Sequence, residues 1–159
     1  MRKTFTLTAV LLLIVSGITF EVVLADSASF HYANASASGL DLVVTFKETG
    51  LGNSASTVGI LVHAQGSADY QCFNGGGNHP KAGNKETVSG PVTGGGNFSV
   101  RHGETTGFVT VSLPGPGSFS CPGGQTLDLL SGSFSEITIT DNTTSDGPVP
   151  TSPNVINVP

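Results

Sequence analysis

The sequence contains no tryptophan, only two tyrosines and a single methionine, which is the initiator. Charged residues make up 11% of the chain, so lysine, arginine and glutamate, which favour long helices, are scarce. No segment shows the 3.6-residue apolar period of an amphipathic helix over about ten positions. Glycine, serine, threonine and β-branched residues are abundant instead. This composition is typical of an all-β protein with glycine-rich turns.

The first 25 residues have the three parts of a secretory signal peptide. Arg2 and Lys3 are followed by an uncharged, mostly apolar stretch at 7–20, and small residues lead up to Ala25. The apolar stretch is shorter than the roughly 20 residues that a transmembrane helix needs. We therefore expect cleavage after Ala25, secretion into the extracellular space and no stable membrane insertion.

Removal of residues 1–25 would leave four basic side chains (6 − 2) and ten acidic ones (11 − 1), a formal net charge of −6. Nucleic acids and anionic membranes attract basic surfaces, so neither is an expected partner. The sequence carries no signature of a cofactor. We expect an extracellular partner or ligand, whose identity the sequence leaves open.

Alternating apolar residues predict the strands. In residues 40–48, Leu42, Val44 and Phe46 share one face, which is the pattern of a half-buried strand. A hairpin with its turn at Gly103 is predicted to join two later segments. The predicted strands are an edge strand before 40, then 40–48, 57–70, a short strand near 87–88, 97–101 and 106–113. Residues 125–130 and 133–140 are two further strands or one bent strand.

These strands predict one domain over residues 26–141. Their number and spacing favour an immunoglobulin-like antiparallel β-sandwich of about seven short strands, with a small β-barrel as the alternative. Residues 142–159 are polar and proline-rich, so we expect a flexible C-terminal tail, in which residues 155–158 could add an edge strand.

Cys72 and Cys121 are the only cysteines. An even count in an exported chain argues for one disulfide, because the compartment is oxidising. The bridge would close a loop of about 50 residues.

The stretch CFNGGGNHPKAGNKE, residues 72–86, is dense in groups that can carry chemistry. A phosphate-binding loop is excluded, because Gly77 and Gly83 are one residue too far apart and Asn84 separates them from Lys85. What remains is a long loop that begins at a predicted disulfide. Such loops often carry binding residues, and the candidates here are Asn78, His79 and Lys81.

No metal or catalytic site is expected from spacing alone. The histidines are His31, His63, His79 and His102, and no two lie at the short spacing typical of zinc ligands. No Gly-x-Ser-x-Gly motif marks a nucleophile, and Asp69, Glu86, Glu104, Asp128 and Glu136 cannot be ranked as catalytic carboxylates.

Three asparagines fit the acceptor pattern for N-glycosylation: Asn34, Asn97 and Asn142. They would be used only in a host that glycosylates exported proteins.

The segments DLVVTFKETGLGN, CFNGGGNHPKAGNKETVSGPV and PGPGSFSCPGGQTL together resemble a family of small secreted β proteins with two cysteines, widespread in actinobacteria and related genomes. The resemblance covers residues 40–141. It implies export, a single domain and a Cys72–Cys121 pair, and it implies no reaction.

Export, sparse charge and glycine-rich loops favour a secreted, non-enzymatic module for binding or for a structural role at a surface. Two alternatives stay open. One is a secreted hydrolase or metal-dependent protein whose site assembles only in the fold, from Asp69, His79, His102 and Glu104. The other is a self-assembling extracellular subunit, in which a terminal segment adds a strand to a neighbouring copy.

Overall fold

The computed structural model describes residues 27–52, 55–75 and 84–159, so the predicted signal peptide lies outside the described residues. Those ranges are almost entirely β-strand, and they contain no helix long and apolar enough to cross a membrane. The strands are β1 (Ser29–Ser38), β2 (Asp41–Thr49), β3 (Thr57–Asn74), β4 (Lys85–Ser99), β5 (Thr105–Val111), β6 (Gln125–Asp141), β7 (Asp146–Pro150) and β8 (Ile156–Val158).

Two antiparallel sheets pack face to face, which confirms the predicted all-β sandwich. The smaller sheet has the order β1-β2-β5, and the larger has the order β4-β3-β6-β7, with β8 also paired to β6. At one side an isolated bridge between Arg101 and Glu104 connects the sheets. At the other side Ser152 donates its N–H to the carbonyl oxygen of Ala33 (2.9 Å).

The core lies between the inward faces of the two sheets. The β2 residues Leu42, Val44 and Phe46 are fully buried, as their alternation predicts. They face a second set on the larger sheet, and the ring of Phe46 meets that of Phe98 edge to face at 4.9 Å. Each large apolar side chain buried in this way contributes about 1.5–3 kcal/mol. The buried residues on the larger sheet include Val58, Ile60, Val62, Phe134, Ile137 and Ile139.

Three strands are long: β3 has 18 residues, β4 has 15 and β6 has 17. The single bent strand predicted as one alternative for 125–140 is confirmed as β6, and β3 extends four residues beyond its predicted end. The prediction of only a short strand near 87–88 is therefore wrong, because β4 runs through the glycine-rich segment. The glycines are needed there for close packing rather than for a turn. A Cβ atom on Gly94 would overlap the carbonyl oxygen of Thr110 in β5, which crosses β4 at this point.

The predicted hairpin at Gly103 is correct at its turn and wrong beyond it. Arg101 and Glu104 exchange backbone hydrogen bonds across His102 and Gly103, both of which have positive φ. The strands that follow then diverge, since β4 belongs to the larger sheet and β5 to the smaller one. The turn therefore carries the chain from one sheet to the other.

The inward face of the larger sheet is also covered by the segment that joins β5 to β6, residues 112–124, here called the strap. Tyr70 in β3 donates its hydroxyl to the carbonyl oxygen of Pro114 (2.8 Å). Two glycines make room for the strap, because a Cβ atom on Gly66 would press on Pro114 and one on Gly132 would press on Leu113.

The prediction of a flexible tail over residues 142–159 is wrong. Both β7 and β8 pair with β6, and Thr151 and Val158 are buried. Pro148 and Pro150 are compatible with this because β7 is an edge strand, where a missing N–H does not break a ladder. The sandwich therefore continues beyond residue 141 to the C-terminal strand.

Candidate functional site

The disulfide between Cys72 and Cys121 is present, as predicted, with Cα atoms 5.6 Å apart. Because Cys121 belongs to the strap, the bridge staples the strap to the end of β3. Asn84, the residue before β4, donates its side-chain N–H to the side-chain oxygen of Gln125 in β6 (3.0 Å). The disulfide and this side-chain hydrogen bond therefore reinforce the backbone pairing at this end of the larger sheet.

The predicted binding loop connects β3 to β4 at this stapled end. Its candidates Asn78, His79 and Lys81 lie outside the described residues, which stop at Gly75 and resume at Asn84. The strands that border the loop are described, and they form a surface depression beside it.

This depression, here called the stapled-end depression, forms at a β-bulge. Asp69 pairs with Ser131 of β6 but Tyr70 pairs with Leu129, so Leu130 is the extra residue and is 41% exposed. Bulges often lie beside functional sites because they redirect side chains. The lining residues are Asp69, Tyr70, Lys85, Glu86, Thr87, Leu130 and Ser131.

Asp69 is the most constrained polar group in the depression. One carboxylate oxygen accepts a hydrogen bond from the hydroxyl of Thr87 (2.6 Å), and the other accepts one from the hydroxyl of Ser131 (3.0 Å). These donors come from the two strands on either side of β3, so the carboxylate is held from both sides. A carboxylate has about four acceptor sites, so Asp69 can still accept hydrogen bonds from a ligand.

A second depression lies at the other bulge of the same sheet. His63 pairs with Thr138 and Gln65 with Ser135, and Glu136 in the bulge has φ of 53°. Six positions of β3 separate His63 from Asp69, which is roughly 20 Å along a strand. Two carboxylates at that separation are too far apart to act together on one glycosidic bond.

The three described residues of the alternative site, Asp69, His102 and Glu104, do not come together. His102 and Glu104 line a third depression at the turn between the sheets, where Glu104 forms a salt bridge with Lys47 (2.9 Å). Thr57 of β3 pairs with Ser99, the last residue of β4 before this turn. Asp69 lies 12 positions further along β3 (69 − 57), which is roughly 40 Å away. His79 lies outside the described ranges.

Other predicted residues are scattered over the surface. The ring of His31 packs against Tyr32 at 6.2 Å between centroids. Within the described part of the chain, no three His, Cys, Asp or Glu side chains are close enough to share a metal ion. The glycosylation candidates Asn34, Asn97 and Asn142 all have exposed side chains, as modification would require.

Sequence reasoning named Asp69 but missed its partners Thr87 and Ser131. The alternation of β3 signals the row of outward polar residues that contains Asp69. The pairing register that brings Thr87 and Ser131 beside it depends on the whole sheet, and the sequence has no local signal for it.

Comparison of the chain with known proteins finds no family model, no curated protein and no solved structure that matches it. The resemblance to secreted two-cysteine proteins therefore stays a prediction, and function is inferred from geometry.

Proposed function

We propose that the chain is a secreted, non-enzymatic β-sandwich that binds a hydroxyl-rich ligand, an extracellular glycan, at the stapled-end depression. The observation that supports this most is Asp69, whose two oxygens are held by hydroxyl donors from both neighbouring strands. A carboxylate fixed in this way is a ready acceptor for the hydroxyl groups of a sugar.

The rest of the depression suits the same ligand class. Ligand sites combine apolar surface with a few well-placed polar groups. Leu130 supplies apolar surface, whereas Lys85 and Glu86 supply a donor and an acceptor near the rim. Asn78, His79 and Lys81 fall between β3 and β4 but outside the described residues, so their role in binding stays a prediction.

Secretion is part of the proposal. Its support is the disulfide, because such bonds persist in oxidising compartments, together with the predicted signal peptide. The immunoglobulin-like assignment is proposed as well, on the basis of two antiparallel sheets and one cystine. The cystine here differs from the usual inter-sheet bridge, since it joins β3 to the strap.

The test is a binding screen of the purified, oxidised protein against immobilised polysaccharides, followed by calorimetry on any glycan retained. Asp69→Asn is expected to lower affinity at least tenfold, because hydrogen bonds to charged groups contribute about 1.5–3 kcal/mol. The matched control is Glu136→Gln, an exposed carboxyl in the second depression, and it should leave affinity within about twofold.

Three outcomes would contradict the proposal. The first is a screen that retains no glycan. The second is an Asp69→Asn variant that binds as tightly as the wild type. The third is release of shortened sugars, which would support the hydrolase alternative instead.

A further inference from the structure

One carboxyl group is buried in the core without a hydrogen-bond donor. Glu48 continues the inward face of β2 two residues after Phe46 and has no exposed surface. No N–H or O–H group of the described residues reaches either of its carboxyl oxygens. An ionised carboxylate in that position would be strongly unfavourable, because neither water nor a donor would compensate its charge.

The neighbours of Glu48 are acidic. The side chain of Asp141, also without exposed surface, lies within hydrogen-bonding reach of Glu48. Asp141 already accepts the N–H of Thr143 (2.6 Å) and the hydroxyl of Thr144 (2.8 Å). Asp146 accepts the N–H of Phe30 (3.2 Å). The two aspartates therefore have donors that stabilise their charge, whereas Glu48 has none.

The groups that face Glu48 come from four strands. Its own neighbour Lys47 is turned outward to Glu104 and does not compensate the buried charge. From β5 comes only Thr105, whose hydroxyl donates to the carbonyl oxygen of Ser99 (3.1 Å). The facing groups are thus Asp141 of β6, Asp146 of β7, the backbone of Phe30 in β1 and Thr105 of β5.

Two carboxyl groups in contact away from water are stable when one proton lies between them. Here Glu48 donates that proton and Asp141 accepts it. Burial, then the charge of Asp141, the hydrogen bond to it and the charge of Asp146 raise the pKa of Glu48 from 4.5 to about 8. Glu48, Asp141 and Asp146 are here called the carboxyl joint.

The carboxyl joint connects the smaller sheet to the C-terminal segment. Glu48 belongs to β2, whereas Asp141 and Asp146 flank the turn that leads from β6 into β7. Beyond this turn, Thr151 donates its N–H to the carbonyl oxygen of Ile137 in β6 (3.0 Å). Ser152 donates its N–H to the carbonyl oxygen of Ala33 in β1 (2.9 Å). The segment after residue 141 thus pairs with β6 of the larger sheet through β7 and β8, whereas its bonds to the smaller sheet are those of Asp146 and Ser152.

We propose that the carboxyl joint is an acid-dependent latch. The proton shared by Glu48 and Asp141 fixes the start of the turn after β6 to the smaller sheet and thereby holds the C-terminal segment, residues 142–158, in place. Loss of that proton releases the segment. At a pH between the ordinary pKa of Glu48 and its raised pKa, the closed latch binds one proton more than the open latch does. The latch is therefore tight in acid, and its opening constant rises about tenfold per pH unit from about pH 5 to about pH 8.

Hydrogen exchange tests the latch directly. Exchange of the Thr151 and Ser152 amides, corrected for the intrinsic effect of pH, should accelerate about tenfold per unit over that range. The Val62 amide of β3 should change much less. Glu48→Gln is expected to abolish the acceleration, because a neutral amide can donate to Asp141 at any pH.

Matched variants keep the test decisive. Asp141→Asn, which retains an acceptor for Thr143, should reduce the dependence if Glu48→Gln does not fold, because it removes the charge of Asp141 while burial still raises the pKa of Glu48. Glu136→Gln, an exposed carboxyl on the same strand, should retain it. The proposal is overturned if Glu48→Gln keeps the pH dependence, if Asp141→Asn leaves it undiminished, or if Val62 responds as strongly as Ser152. Protection of Thr151 and Ser152 at alkaline pH by added calcium, lost in Glu48→Gln, would also overturn it, since a cation would then replace the proton.

Discussion

Removal of the disulfide is the perturbation whose magnitude follows most directly from the structure. The bond joins residues 49 positions apart. The chain-entropy model values the closure of a loop of that length at about 4 kcal/mol. Domains of this size have a net stability of about 5–15 kcal/mol. The double variant Cys72→Ala/Cys121→Ala is therefore expected to be marginally stable.

The loss should appear first at the strap. Without the bridge, the described bond that fixes its N-terminal half is the one from Tyr70 to Pro114, worth about 1 kcal/mol. Urea unfolding followed by far-ultraviolet circular dichroism measures the total loss. Tyr70→Phe is the matched control, since it removes the hydrogen bond and keeps the disulfide, and it should cost only about 1 kcal/mol. The reasoning is refuted if the double variant lies within about 1 kcal/mol of the oxidised wild type.

Two further predictions concern backbone packing and the C-terminal strand. Gly94→Ala should destabilise the protein by about 1–3 kcal/mol in thermal unfolding, because the added methyl group meets the carbonyl oxygen of Thr110. Gly90→Ala, where a Cβ atom meets nothing within 4 Å, should be nearly neutral. Equal effects of the two substitutions would contradict the packing account. Val158→Ala should lower the free energy of unfolding by about 2 kcal/mol, because Val158 is buried beside β6. Val155→Ala, at an exposed position, should change it little. A Val158→Ala variant as stable as the wild type would show that β8 is not part of the stable core.

The features predicted correctly are those that local pattern determines. The alternation of β2 depends on consecutive residues, and the cystine depends on a count of two and a compartment. The same alternation places Glu48 inward, so one further step along β2 would have found the buried carboxyl. The features predicted wrongly depend on contacts with residues that are distant along the sequence. The glycines of β4 are typical of a loop, and only the crossing of β5 over Gly94 explains why they lie in a strand. The prolines after residue 141 are typical of a flexible tail, and only the pairing of this segment with β6 shows that it is ordered.

The candidate site divides in the same way. Asp69 could be named from the sequence, because it is a polar residue on a strand. Its importance comes from Thr87 and Ser131, which lie 18 and 62 positions away along the chain. Register between strands so far apart is set by the burial of the whole sheet, so no window of sequence contains it.

The central position of β3 has a consequence for the order in which the protein forms. One edge of β3 pairs with β4, which follows it closely, but the other edge pairs with β6, and the contact of Ile60 with Asp141 spans 81 positions (141 − 60). A ribosome must therefore make nearly the entire chain before the core can close. Contacts of such long range make folding slow. The chain should then remain unfolded while it is being synthesised, which is the state that passage through a membrane channel requires.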